Sequence, residues 1–585
     1  MTLRPDSDTS AAPEPEPKLP DGEAFAGAAM DCDVVMKGGI TSGVVYPYAI
    51  IELARRYRFR SIGGTSAGAI AAAFAAAAEY SRSVREDPAG FVRLQQRCEE
   101  LPERLVHLFQ PRPRFAPLMA HFLRSQRWGR SSIIWALPLV FPFGSLFGAA
   151  LGALAMWSFD GATSGIVLGA FAGLLLFLVV RATRLVLVDF PRSGFGLCTG
   201  LSEPHGNGPA ITDWMHEALQ FIAFGQDPRR KPLTFGDLAG ADPANPIVNL
   251  RMITTNLSMQ RPHTLPRLGL EAGIDIEEWR ELFPRDVIDH IVSTSEAAKH
   301  FDDLLSVPNP ADLPVVVAAR MSLSFPVLFT AIPLHVLDFA TATLARATGA
   351  ERVPQRTRIL VADGGISSNF PIHLFDALLP ERPTFALSLD RLPNGPLGEE
   401  RVFIPDAAGQ GVGLPINPIG GVADYAASVL ASAKDWQDQL LSTMPGQRER
   451  IAHVLLSKDE GGLNLTMPPI RSRALMERGR EVGRRFADGA LDFDEHRWRR
   501  ALVVYDQLED AVIATGMTWS GGFGEWLRAY MDHPGSYEMP KGDRARIHER
   551  LQAFASLMPQ FEPIVGGKRR KLPNPRGRLR IDPDY

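Results

Sequence analysis

Five consecutive residues, Gly64-Thr65-Ser66-Ala67-Gly68, fit the pattern Gly-x-Ser-x-Gly. Glycine on either side of a serine lets the chain make a tight, strained turn from strand to helix, which exposes the serine oxygen and aims the next backbone N–H groups at an anion. The chemistry this suits is nucleophilic attack by Ser66. The pattern alone is weak, and its context makes it specific: a strand candidate at 58–62 precedes it and a helix candidate at 69–80 follows. Upstream, Gly38-Gly39-Ile40-Thr41-Ser42-Gly43 forms a second glycine turn. Its Gly38 and Gly39 amides, with that of Ala67, are candidate donors to an oxyanion. Phosphate cradling is the rival for both turns, since Gly38 to Gly43 and Gly63 to Gly68 have Walker A spacing. Val44 and Ala69 stand where that motif requires lysine, so the NTPase reading fails.

Asp363-Gly364-Gly365 follows the apolar run Ile359-Leu360-Val361-Ala362. Alone, an aspartate before two glycines is a turn. A Ser-His-Asp triad is the competing mechanism for a serine elbow, and among 13 histidines His373, placed on a helix over 371–379, is the candidate base. No His-Glu-x-x-His and no Asp-x-Asp-x-Asp-Gly occurs, so the sequence offers no metal site and implies no cofactor.

These residues need a scaffold. Two consecutive units of strand, glycine turn and helix, at 33–57 and 58–80, argue for a mostly parallel sheet covered by helices. Further strand candidates lie at 246–254, 313–318, 357–362 and 383–389. Beyond about 430 the pattern is mostly helical, notably at 471–487 and 495–515, and the last twenty residues are basic, with the run Lys568-Arg569-Arg570-Lys571.

The global composition excludes several classes. The 585 residues carry 62 Lys+Arg against 66 Asp+Glu, a net charge of -4, which does not suit a nucleic-acid partner. With 45% hydrophobic and 22% charged residues the chain is neither disordered nor a many-spanning transporter. Three cysteines, Cys32, Cys98 and Cys198, cannot make a paired disulfide framework, which points to a reducing compartment. Residues 1–28 are expected to be a disordered leader, with no secretory signal.

Residues 131–159 contain no charge, Asp160 interrupts, and 161–180 is again charge-free. Each stretch is long enough for about 30 Å of hydrocarbon, so a transmembrane hairpin with spans at about 133–159 and 161–180 is expected. Arg124, Arg127 and Arg130 before it, and Arg181 and Arg184 after it, place both ends in the cytoplasm. Glycines at 144, 148, 152 and at 165, 169, 173 would give each helix a smooth stripe. The alternative is a buried core hairpin.

Taken in order, the glycine turn, Gly-x-Ser-x-Gly, the block Ala319-Arg320-Met321-Ser322-Leu323-Ser324-Phe325-Pro326-Val327-Leu328-Phe329, and Asp363-Gly364-Gly365 followed by Asn369 and Pro371 resemble the patatin-like phospholipase family, whose sheet is similar to that of the catalytic domain of cytosolic phospholipase A2. The resemblance covers about 30–110 and 245–395. It implies an α/β protein with a three-layer α/β/α domain, and a Ser-Asp dyad acting on lipid esters, Ser66 as nucleophile and Asp363 as base. The family's oxyanion turn usually reads Gly-Gly-Gly-x-Arg/Lys-Gly, and here Lys37-Gly38-Gly39-Ile40-Thr41-Ser42-Gly43 lacks the basic residue in that register. The expected organisation is a leader (1–28), the first part of the domain (29–110), an insertion with the hairpin (111–195), the second part (196–430) and a helical C-terminal region (431–585). The function expected is hydrolysis of membrane-lipid esters by a protein integral to the cytoplasmic membrane, the bilayer its partner and its catalytic domain on the cytoplasmic face. An inactive membrane scaffold and a hydrolase of soluble esters are the alternatives.

Overall fold

The computed structural model describes residues 22–128, 142–159, 163–227, 231–350, 353–392, 400–405, 410, 416, 418–457, 459–462, 464–532 and 539–561. Among them a 12-stranded sheet forms the centre. The strands that matter for the site are β1 (Met30–Met36), β2 (Tyr57–Gly64), β3 (Asn249–Asn256), β4 (Ile332–Leu337), β5 (Arg356–Asp363), β6 (Thr384–Arg391) and β7 (Ile451–Leu456). In space they run β7-β6-β1-β2-β3-β5-β4.

From β7 to β3 every pairing is parallel, and from β3 through β5 to β4 every pairing is antiparallel. The sheet is therefore mixed, which corrects the expectation of a mostly parallel one. The parallel half is what the two strand-turn-helix units dictate, because a parallel neighbour needs a crossover and a helix supplies it. Buried on both faces, the inner ends of β1 and β2 read as continuous apolar runs. The antiparallel half had no such local signature.

Helix α1 (Tyr46–Ala54) and helix α2 (Ala67–Ser83) follow the two glycine turns. Almost every residue of α2 is buried, which is why its sequence is a run of alanines: larger side chains would hold its neighbours away. Its buried Glu79 accepts the Phe59 N–H at 3.0 Å and pairs with Arg82, so this buried acid is satisfied.

Helix α3 (Pro142–Phe159) packs on helix α4 (Thr163–Arg184) through glycine: a Cβ at Gly152 would strike the Gly169 carbonyl, and one at Gly148 would meet the Gly173 carbonyl at 2.8 Å. Among the described residues one helix, Thr163–Arg192, is long and apolar enough to cross a membrane, with a mean hydropathy of 2.4 in its most apolar window and 6% of that window buried. The apolar helix Phe143–Ser158 is shorter. The second expected span, 161–180, falls almost wholly in this helix, and the first, 133–159, lies partly outside the described residues. Residues 131–141, the Asp160 turn and the 568–571 basic run lie outside the described residues.

Several boundaries also move. The expected leader reaches 28, whereas Glu23–Ala26 is helical and Phe25 is fully buried against the Phe91 ring, centroids 5.2 Å apart. The expected strand at 313–318 belongs to helix α5 (Val315–Ser322), buried on all sides, so no helical period was visible in it. The helix expected over 371–379 is a single 3-10 turn, Ile372–Phe375. The C-terminal boundary near 430 falls inside helix α6 (Val422–Ser442), and β7 extends the parallel sheet beyond it. Helix α7 (Pro469–Ala487) lies against α1 because Gly479 and Gly483, one turn apart, face the Val45 and Ala49 carbonyls. The three cysteines are buried and unpaired.

Candidate functional site

Ser66 joins β2 to α2 with φ +55° and ψ −128°, a left-handed conformation that costs a non-glycine residue of order 1–3 kcal/mol. Its two flanking glycines make the turn sterically feasible. A Cβ at Gly64 would collide with the Gly68 carbonyl, and one at Gly68 would sit 2.5 Å from the Met36 carbonyl oxygen at the end of β1. The Ser66 amide donates to Ser322 Oγ at 3.2 Å, and that hydroxyl donates to the Ile253 carbonyl at 2.6 Å. Ser322 is therefore the strut that ties the elbow to β3. It lies in the 319–326 block, but nothing in that block marked it as a contact of the nucleophile.

The first glycine turn lies directly against the elbow. The Ser66 hydroxyl donates to the Gly39 carbonyl at 3.1 Å, and the Ala67 amide donates to the same oxygen at 3.2 Å. The Gly38 amide donates to the Asn369 carbonyl at 2.7 Å. Of the three proposed oxyanion donors, Gly38 and Ala67 are thus engaged with backbone oxygens in this conformation. Lys37 anchors the start of the turn: its ammonium meets Asp390 Oδ1 at 2.7 Å, while Asp390 Oδ2 contacts His453 Nδ1 at 2.7 Å. Burial alone would raise the Asp390 carboxyl, and the Lys37 and His453 charges outweigh it and hold the group well below the usual carboxylate range.

Asp363 reaches the same end of the sheet from the opposite direction. Gly64 of β2 pairs with Met252 of β3, while Asp363 of the antiparallel β5 pairs with Thr254, two residues further along β3. The end of β2 that leads into Ser66 and the end of β5 that carries Asp363 therefore lie against the same stretch of β3. The Asp363 carboxylate accepts the Gly365 N–H at 2.7 Å and is 2% exposed; Ser66 is 3% exposed. A Cβ at Gly364 would strike the Ile253 carbonyl and lie 3.3 Å from Ser322 Oγ, so the Asp-Gly-Gly turn and the serine elbow share one strut. The Ser66 hydroxyl donates to Gly39 in this conformation. Catalytic hydrogen bonds commonly tighten only when substrate is bound.

Beside the serine opens a cavity of about 70 Å³ whose walls are apolar. Ile40 and Ala67, the residues after Gly39 and Ser66, line it, with Ala71 and Phe74 of α2, Trp214 and Leu323 deeper in. Composition and spacing had no means of showing it, because its walls come from five separate segments. His373 sits on the 3-10 turn Ile372–Phe375, and the hydrogen bond of the Ser66 hydroxyl runs to Gly39. A separate group, Asp275, Glu278 and His335, brings three ligand-type atoms within 4.8 Å of one another, but Arg358 already holds Glu278 at 2.9 Å and Arg356 donates to His335 Nδ1 at 3.3 Å.

No family model matches the chain. VipD from Legionella pneumophila, a solved structure, aligns over 92% of this chain and 89% of its own with 11% identity and a TM-score of 0.28, a likeness too slight to carry an argument. A protein of Rhizobium meliloti strain 1021, the RpoH suppressor, is 36% identical over 638 residues, spanning 95% of this chain and 99% of the relative. Identity at that level over nearly the full length of both places the whole architecture in common, and the chain belongs to the RpoH suppressor family.

Proposed function

We propose that the protein is a serine acyl hydrolase acting on ester-linked acyl chains of membrane lipids, with Ser66 as nucleophile and Asp363 as base. The observation that carries this reading is the strained Ser66 elbow opening onto an apolar cavity that Ala67 and Ile40 line. Backbone strain of the kind seen at Ser66, φ +55°, clusters at reactive centres. In the proposed cycle Ser66 Oγ attacks the acyl carbonyl carbon while Asp363 takes its proton. The leaving alcohol then departs with that proton, water deprotonated by the same carboxylate attacks the acyl carbon, and the bond to Ser66 Oγ breaks as the proton passes to that oxygen, releasing the acid. An aspartate is a feeble base in water, and the burial of Asp363 supports its use here. The cavity takes the acyl chain. No cofactor is needed.

The helix Thr163–Arg192 supports attachment to a bilayer, where lipid substrate is already concentrated at the site. The two-span hairpin belongs to the same proposal, with α3 packed on α4 as its partner. A second reading, an inactive scaffold on this fold, is favoured by one observation: the Gly39 carbonyl, not an amide, faces the nucleophile.

One experiment separates the two. A fluorophosphonate probe should label the parent protein at Ser66 and leave Ser66→Ala unlabelled, with equal thermal midpoints. Absence of labelling in a folded parent would establish the scaffold, and equal labelling of both proteins would remove Ser66 from the chemistry.

A further inference from the structure

We infer that Asp438 is a positioning residue for the Ser66 centre, supplied by the C-terminal region and acting through the 368–370 turn. Its side chain projects from α6 into the catalytic layer and is 6% exposed. Asp438 Oδ2 accepts the N–H groups of Asn369 at 2.5 Å and Phe370 at 2.8 Å, and Oδ1 accepts the Ser368 hydroxyl at 3.3 Å. Three donors on one buried carboxylate are charge-assisted bonds in a low-dielectric setting, the strongest way to hold a short turn that lacks regular structure.

What the turn carries makes this consequential. The Asn369 carbonyl uses both lone pairs on the reacting end of the sheet: it accepts the Gly38 N–H at 2.7 Å and the Thr65 hydroxyl at 3.0 Å. Gly38 belongs to the turn whose next carbonyl faces Ser66, and Thr65 precedes Ser66. One oxygen therefore sets the spacing between the glycine turn and the elbow, and Asp438 sets that oxygen. The Asn369 side chain reinforces the arrangement, since its Oδ1 fills the space a Cβ would take at Gly38 and lies 2.7 Å from one at Gly365, beside Asp363. All parts of the centre, the nucleophile elbow, the glycine turn and the Asp363 turn, meet at a residue fastened by the C-terminal region.

This inference rests on the hydrolase reading, and its test keeps the two apart. In the full-length protein, Asp438→Ala and Asp438→Asn are compared with the parent by amide hydrogen exchange and by turnover of a soluble nitrophenyl ester per fluorophosphonate-titrated site. Exchange in Asp438→Ala is expected to rise about tenfold or more at Gly38 as well as at Asn369 and Phe370, because freeing the turn frees what it holds. Its kcat per titrated site should fall about a hundredfold, the cost of a small misplacement of reacting groups, with KM unchanged. Asp438→Asn keeps an oxygen for the same two N–H groups without the charge, so it should lose about tenfold and recover most of the exchange protection. If the alanine variant does not fold, the asparagine variant is scored by the same two measurements. A lowered thermal midpoint with unchanged exchange at Gly38, or with unchanged kcat per titrated site, makes Asp438 merely structural and overturns the inference. A parent that neither labels nor turns over ester overturns the hydrolase reading, and the catalytic role of Asp438 falls with it.

Discussion

The Ser66 hydroxyl donates to the Gly39 carbonyl oxygen at 3.1 Å, and the Ala67 amide shares that acceptor at 3.2 Å. In the proposed hydrolase, an oxygen lone pair beside Ser66 satisfies the resting hydroxyl but would repel an oxyanion, so the Gly39-Ile40 peptide must turn before negative charge could be stabilised there. Rotation would withdraw the carbonyl, bring the Ile40 N–H toward the serine and free the Ala67 N–H.

Reaction with a fluorophosphonate should accordingly proceed in two steps, with an observed rate that saturates as probe concentration rises. A strictly linear dependence would mean that the glycine turn is already competent as it stands.

Asp363→Asn retains an oxygen for the Gly365 N–H that Asp363 holds at 2.7 Å, so the turn should survive while the basic oxygen is lost. Turnover is expected to fall at least about a hundredfold, the lower end for removing a general base. His373→Ala, on the 3-10 turn Ile372–Phe375, should behave as the parent. If folded His373→Ala proves as inactive as Ser66→Ala, a triad replaces the dyad.

Ala71 lines the cavity from the middle of α2 and is 7% exposed. Ala71→Phe should fill the slot and discriminate by chain length. Excluding three methylenes at about 0.8 kcal/mol each corresponds to a loss of about fiftyfold in kcat/KM for octanoyl esters, against little change for acetyl esters. Equal losses for both esters would place the acyl chain elsewhere.

The Lys37–Asp390 pair, at 2.7 Å beneath the glycine turn, should shape stability against pH. Burial would lower the Lys37 ammonium, and Asp390 outweighs it and raises the group, as Lys37 and His453 depress Asp390. A depressed carboxyl contributes stability that is complete above its unfolded value of about 3.9 and fades as pH falls; a raised lysine contributes stability that is complete below about 10.4 and fades as pH rises through the higher folded value. The gap in thermal midpoint between the parent and Asp390→Asn should therefore narrow as the pH falls into acid. A gap that persists unchanged to about pH 3, well below the unfolded carboxyl value, would show that the pair is not its source.

The helix Thr163–Arg192 should hold the protein in the membrane pellet through carbonate washing, and deletion of residues 142–192 should release it. A parent that washes off would refute the anchor.

The serine elbow was legible in the sequence because its requirement is local: Gly64 and Gly68 lack a Cβ where one would strike neighbouring backbone, and that need is written into adjacent residues. The pairing of β1 and β2 followed for the same reason, since each strand, turn and helix lies within one short stretch. Where burial is complete on all sides the pattern fails, and the apolar run before Arg320 passed for a strand though it is a helix. The direction of β5 against β3, which sets Asp363 against the same stretch of β3 as the end of β2, and the reach of Asp438 into the 368–370 turn were decided only by tertiary structure. Such contacts join residues tens to hundreds of positions apart, and a hydrogen bond between distant segments imposes no spacing that a single sequence can display.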